Sequence, residues 1–366
     1  MARASGTAPS VSGEIPALER GDPSRPGVYL EIGAILASDG VATNEGECKV
    51  SPPPAAGRRH SLPDRRRHRD QPNFHDGLDQ PLFAAFPLLR DVEGRRCLVR
   101  YYERYIAIAH ASAMRFILES PTWRASADWG AKLGYSAADI AAVNAESIQL
   151  MHDLRAASET PASPMVVSGC IGPRGDGYVP GEAMTEDLAE AYHALQVDAF
   201  AGAGADMVTA ITMTNTSEAI GIVRATRKAG MPVALSFTVE TDGRLPTGQT
   251  LAEAIELVDK VTSNAPAYYM INCAHPTHFE NAIRSDQGWT RRIRGLRANA
   301  SRRSHQKLND APDLDAGDPI ELGRQYCDLV QALPQINVLG GCCGTDHRHV
   351  ECIALACKTV RTAEAS

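Results

Sequence analysis

No apolar run in this chain approaches the roughly 20 residues needed to span a bilayer, and its first residues lack the apolar core of a secretory signal. A cytoplasmic protein without a membrane partner is therefore expected. Basic charge is not in excess either. The 37 Lys and Arg stand against 44 Asp and Glu, a formal charge of -7, which argues against nucleic acid or an anionic membrane as the main partner. No Gly-rich phosphate fingerprint opens a helix after the first strand, which weakens the case for an open, doubly wound nucleotide-binding sheet. A paired set of cysteines is missing as well: there are nine, unevenly spread. In a reducing compartment such a set suits thiolate chemistry better than a disulfide framework.

What is present is a globular composition, 43% hydrophobic and 22% charged over 366 residues. That length suits one large α/β barrel or two modest domains. Apolar positions at helical spacing over 94–112 lead to a strand within Ala113–Trp123, stopped by Pro121. The alternation then repeats. Helices near 136–156, 185–203 and 217–229 lead to strands at Pro164–Cys170, Asp206–Thr212 and Val233–Phe237. Further strands are read at Ala267–Ile271, Arg292–Ala298 and Gln335–Leu339. Strands separated by helical patterns imply right-handed βαβ units and a parallel sheet. Seven strands from residue 113 onward, with one more before Phe74, predict a closed (β/α)8 TIM-type barrel.

Three thiols stand where such a barrel keeps its chemistry. Cys273 ends the run Ala267–Cys273, and Cys342 and Cys343 follow Val338–Gly341, so all three emerge at the carboxyl ends of strands. Gly340, Gly341 and Gly344 are expected to free the backbone for positive φ, letting two adjacent cysteines face one point. Three thiolates with an open fourth position match a catalytic zinc site, whereas a structural site closes with four protein ligands. The competing reading is a pair of small buried residues in a tight turn. Cys170 is assigned to the core, the usual place of a free cysteine.

The Ile271–Cys273 and Gly340–Asp346 segments, together with Gly169–Asp176, resemble the zinc-dependent homocysteine S-methyltransferases over roughly residues 75–358. The resemblance implies zinc held by Cys273, Cys342 and Cys343. It also implies transfer of a methyl group from a cationic donor to a small thiol such as homocysteine, giving methionine. The charge argument agrees. A free thiol is only a few per cent thiolate at pH 7, and coordination to a dication deprotonates it. Three thiolates and a dication carry a formal -1, which keeps an acceptor sulfur nucleophilic and suits alkyl transfer better than hydrolysis. S-methylmethionine, S-adenosylmethionine and betaine are all open as donors. Other classes stay open too: a cysteine-dependent lyase on the same barrel, or a zinc-binding homologue without turnover.

Candidate substrate contacts are Glu119 and Thr122 after the first strand of the series, Asn272 beside Cys273, and Asn299 in the segment Gly295–Ser301. Arg302 and Arg303 are read as a carboxylate site or a solvated face. The Gly-rich stretch Gly169–Tyr178 is expected to approach a ligand closely. One departure from the family concerns the fourth strand, which commonly ends in Glu-Thr; here the place reads Ala210–Asn215, with Glu218 beyond it.

The N-terminal part departs further. Residues 1–74, with Ser51–His60 and the basic run Arg65–Asp70, read as an atypical segment of low order, and 75–366 as the barrel domain. Beyond the short Val28–Ile32 they show no periodicity. The family's first-strand motif, Asp-Gly-Gly-x-Glu-Thr, is absent. Back-translated with permissive codons and read one base later, Pro63–Phe74 gives Leu-Thr-Asp-Gly-Gly-Ile-Glu-Thr-Asn-Leu-Ile-Phe. The expectation is a reading frame displaced before about Phe74, which the nucleotide sequence decides.

Overall fold

The strands are short runs in which alternate side chains serve two cores. In Met165–Ile171, Val166 and Cys170 pack inside a ring of strands, while Met165, Val167 and Ile171 pack outward against helices. The computed structural model describes residues 27–33, 81–179, 181–284, 287–311 and 314–364. Its eight strands are β1 (Tyr29–Gly33), β2 (Arg115–Glu119), β3 (Met165–Ile171), β4 (Met207–Met213), β5 (Val233–Phe237), β6 (Tyr268–Asn272), β7 (Ile293–Ala298) and β8 (Val338–Gly341). They are parallel neighbours in chain order and close as a barrel, with β1 pairing to both β2 and β8. This is the expected TIM-type (β/α)8 architecture.

The eighth strand lies N-terminal to the boundary drawn at residue 74. Val28–Ile32 was the one patterned stretch of that segment, and Tyr29–Gly33 fills the gap between β2 and β8. The basic run and the stretch 63–74 carrying the frame hypothesis lie outside the described residues.

Helices fall where capping residues precede apolar spacing. Ser136 and Asp139 form a reciprocal capping box at the start of Ala137–Ser158, and Thr250 and Glu253 repeat it at Leu251–Thr262. No helix among the described residues is long and apolar enough to cross a membrane.

Candidate metal centre

Cys273 follows β6 directly and Cys342 follows β8, so the strand ends set the two thiols side by side. Cys273 Sγ lies 2.6 Å from Cys342 Sγ and 4.0 Å from Cys343 Sγ. All three sulfurs fall within 4.8 Å of one another, and among the described residues no His, Asp or Glu joins them as a fourth ligand. For a thiophilic dication with metal–sulfur bonds of about 2.3 Å, tetrahedral sulfurs sit about 3.8 Å apart. The 4.0 Å separation is close to that. The 2.6 Å contact is tighter, yet longer than the roughly 2.05 Å of a disulfide. Three soft donors without a closing fourth ligand fit a metal centre that keeps a position for substrate.

The backbone that aims these thiols is not the one expected. Of the three glycines around the pair, only Gly344 has a positive φ, at 78°. Gly340 and Gly341 are needed for close approach instead: a Cβ would lie 2.1 Å from the Glu31 carbonyl and 2.1 Å from Thr345 Oγ1, respectively. The left-handed turn belongs to Cys273 itself, at φ 54°, and to Thr212 at φ 63°, a conformation that costs of order 1–3 kcal/mol outside glycine. Asn272 braces the second. Its Oδ1 accepts from Thr212 N at 2.9 Å and Ser236 Oγ at 2.6 Å, and its Nδ2 donates to Thr212 Oγ1 at 2.9 Å. The same Nδ2 faces Cys342 Sγ at 3.9 Å.

The thiols share protons unequally. Hydrogen bonds from Cys273 and Cys343, helped by Arg297, hold Cys342 well below the usual thiol range despite its burial. Hydrogen bonding to Cys342 pushes Cys273 well up. For Cys343 the hydrogen bond with Cys273 pulls downward, but the bond to Cys342 and burial outweigh it, leaving the group pushed up to about 12. A dication would displace the retained protons.

A buried charge cluster lies next to the thiols. Arg297 Nη1 donates to Glu119 Oε2 at 2.8 Å, with both side chains 1% exposed or less. Burial works against the Arg297 cation, and Glu119 and Glu31 more than offset it. Burial raises the Glu119 pKa and Arg297 opposes the rise. Burial, with the Glu119 charge behind it, pushes Glu31 up to about 8, so this acid is largely protonated at pH 7.

That assignment has a sign. The folded state retains a proton on Glu31 between roughly pH 4.5 and 8 that an unfolded chain has released, so stability falls as pH rises through this window and levels off above it. Glu31→Gln is expected to flatten the fall and to leave the protein more stable than wild type at pH 8.5. Urea unfolding at pH 5, 7 and 8.5 measures it; equal slopes for the two proteins would overturn it.

The predicted site residues take different places. Glu119 is engaged by Arg297, although its Oε1 has no hydrogen-bond partner. Thr122 is fully buried, with Oγ1 donating to the Cys170 carbonyl at 2.8 Å and lying 2.7 Å from Ser120 Oγ. Asn299 is buried beside the centre: its N donates to the Ala274 carbonyl and the next residue donates to the Cys343 carbonyl, while its Oδ1 is left unpaired. Cys170 packs in the barrel interior. Arg302 and Arg303 form ion pairs with Glu321 and Asp315. Asn215 caps the Thr216–Lys228 helix by accepting from Glu218 N, and Glu218 Oε1 accepts from Arg174 N and lies 3.0 Å from His193 Nε2.

Sequence reading did not single out Tyr178 or His305. Tyr178 OH lies 2.9 Å from Cys343 Sγ, and its ring stacks on His305. The signal available was the Gly-rich stretch after β3, which ends at Tyr178.

A family model described as homocysteine S-methyltransferase matches residues 74–357. Among solved structures, the homocysteine methyltransferase MmuM from Escherichia coli in its metallated form superposes with a TM-score of 0.63 at 19% identity, covering 93% of this chain and 99% of that one. The apo form of MmuM gives a TM-score of 0.57 at 18% identity over the same shares. Comparison with curated proteins finds no match.

Proposed function

The chain belongs to the homocysteine S-methyltransferase family, and from that membership and the thiol cluster we propose that it moves a methyl group from a cationic donor to a small thiol, homocysteine first among the candidates. The convergence of Cys273, Cys342 and Cys343 within 4.8 Å carries the reading. These residues would hold zinc, which when bound supplies the Lewis acidity that keeps an acceptor thiol ionised at neutral pH. The rest is the work of the chain's own side chains.

Asn272 braces the strained turn at Thr212, whose Oγ1 lies 4.0 Å from Cys273 Sγ, and so helps to keep the sulfurs converged. Asn299 Oδ1 is a buried acceptor without a partner, next to residues that bond the Cys273 and Cys343 loops; it is suited to an ammonium group on the acceptor. It would offset the missing acid at the end of β4. Glu119 acts through Arg297 and Thr122 through the end of β3, both shaping the mouth. In the transfer the acceptor sulfur forms its bond to the methyl carbon while the bond from carbon to the positive sulfur or nitrogen breaks, releasing a neutral thioether or amine. No base is consumed once the acceptor is a thiolate.

One observation favours a second reading. β1 carries Tyr29–Gly33 and no acidic Gly-Gly segment, which supports a homologue that binds zinc without turnover. Metal analysis of the purified chain, joined to thiol methylation with S-methylmethionine, S-adenosylmethionine and betaine, separates the two. One equivalent of zinc with turnover is the expected result. Zinc without turnover favours the second reading, and absence of bound metal overturns both.

A further inference from the structure

We propose that Tyr178 is a positioning residue of the thiol centre, its hydroxyl donating a hydrogen bond to Cys343 Sγ that holds this sulfur in place as a ligand. The proposal rests on the metal-centre reading above. Its basis is geometric: an O–Sγ separation of 2.9 Å between the β3 loop and the β8 loop, 165 residues apart in sequence.

The phenol is built into that place from both sides. Its ring stacks on His305 with centroids 4.2 Å apart and planes 24° apart. His305 in turn sets Nε2 at 2.6 Å from the Cys273 carbonyl and Nδ1 at 3.1 Å from Glu240 Oε1. Tyr178 therefore touches Cys343 directly and reaches the Cys273 turn through His305. Two of the three thiol loops are tied to one ring.

The loop that carries it is held as firmly. Asp176 Oδ1 accepts from Tyr178 N at 2.8 Å and Val179 N at 3.2 Å, making a local turn. Arg124 donates to the Gly175 carbonyl at 2.8 Å, and its guanidinium lies between the Trp123 and Trp129 rings, 3.9 and 3.8 Å from their centroids. Gly177 passes so close to β4 that a Cβ would stand 2.9 Å from Thr212 Cγ2. Together these contacts fix the position of Tyr178 N and of the chain on either side of it.

A hydroxyl donating to a thiolate makes a charge-assisted bond, stronger than its neutral counterpart. Partners of this kind around a metal ligand typically account for about 10–100-fold in metal affinity. Stacking alone would need only the ring, so Tyr178→Phe isolates the hydroxyl.

The test compares wild type and Tyr178→Phe by zinc competition against a chromophoric chelator and by the thiolate-to-metal charge-transfer band of the cobalt-substituted proteins. Circular dichroism and thermal melting establish that both are folded. Zinc affinity lowered about 10–100-fold, with a displaced charge-transfer band, is the expected result. Affinity and band identical to wild type overturn the role of Tyr178. Wild type that takes up neither metal overturns the centre itself, a distinguishable outcome.

Discussion

Cys342→Ala is expected to lose the bound zinc almost entirely and to lower thiol methylation by at least about 100-fold. Cys342 is the hub of the cluster: its Sγ is 2.6 Å from Cys273 Sγ, it is 2% exposed, and it is the thiol held lowest in pKa. Removing it leaves two sulfurs, too few to form the tripod of a catalytic zinc site. An acceptor thiol would then react from its ordinary ionisation, a few per cent thiolate at pH 7, which alone forfeits a factor of about 30. Lost orientation adds to that. Cys170→Ala is the matched control, since Cys170 packs in the barrel interior outside the three-sulfur group. Metal content by mass spectrometry and initial rates for the three proteins measure the effect. Full zinc in Cys342→Ala would remove the basis of the centre.

The barrel and the three thiols were legible because their signals are local. A short strand that ends at or beside a cysteine announces both the element and the place of the thiol, and β3, β6 and β8 each do so. Boundaries slipped by up to three residues, as at β8, because strand ends depend on the neighbouring strand's hydrogen bonds. Partners brought together only by barrel closure were not legible. For Glu119 the sequence offered loop amides or substrate as partners, and it could not show Arg297, which stands 178 residues away across the barrel. Tyr178 and His305 have the same difficulty. The glycines of the Cys342–Cys343 turn were read for φ, but the local sequence could not reveal that the Glu31 backbone presses on Gly340.

The N-terminal part raises a separate issue. β1 completes the barrel from Tyr29–Gly33, and the family match begins at residue 74. We keep the displaced reading frame as a proposal for the stretch between them. Its support is that one shifted base turns Pro63–Phe74 into the motif the family places at its first strand. Codons that cannot yield an acidic Gly-Gly segment in the neighbouring frame would dispose of it.

Arg297→Met is expected to destabilise the fold by roughly 3–5 kcal/mol, the usual cost of removing one partner from a buried ion pair. The reason lies in what stays behind. Glu119 and Glu31 are both 0% exposed, each has one carboxyl oxygen without a partner, and Arg297 is the cation that acts on Glu31 among the described residues. Without the guanidinium, Glu119 must take up a proton or remain as an uncompensated buried charge. The loss should therefore grow with pH, since holding two buried acids neutral becomes harder as protons become scarce. Adding Glu119→Leu to Arg297→Met removes the stranded carboxylate and should recover much of the loss, because a buried pair replaced by apolar groups is often near neutral. Urea denaturation of the two single variants and the double variant at pH 6 and 8 gives the coupling energy directly. Additive losses would mean that the 2.8 Å contact is not an energetic pair. The same series bears on the centre next to it: Arg297 is one of the groups holding Cys342 low, so folded Arg297→Met should bind zinc more weakly at pH 6 than wild type.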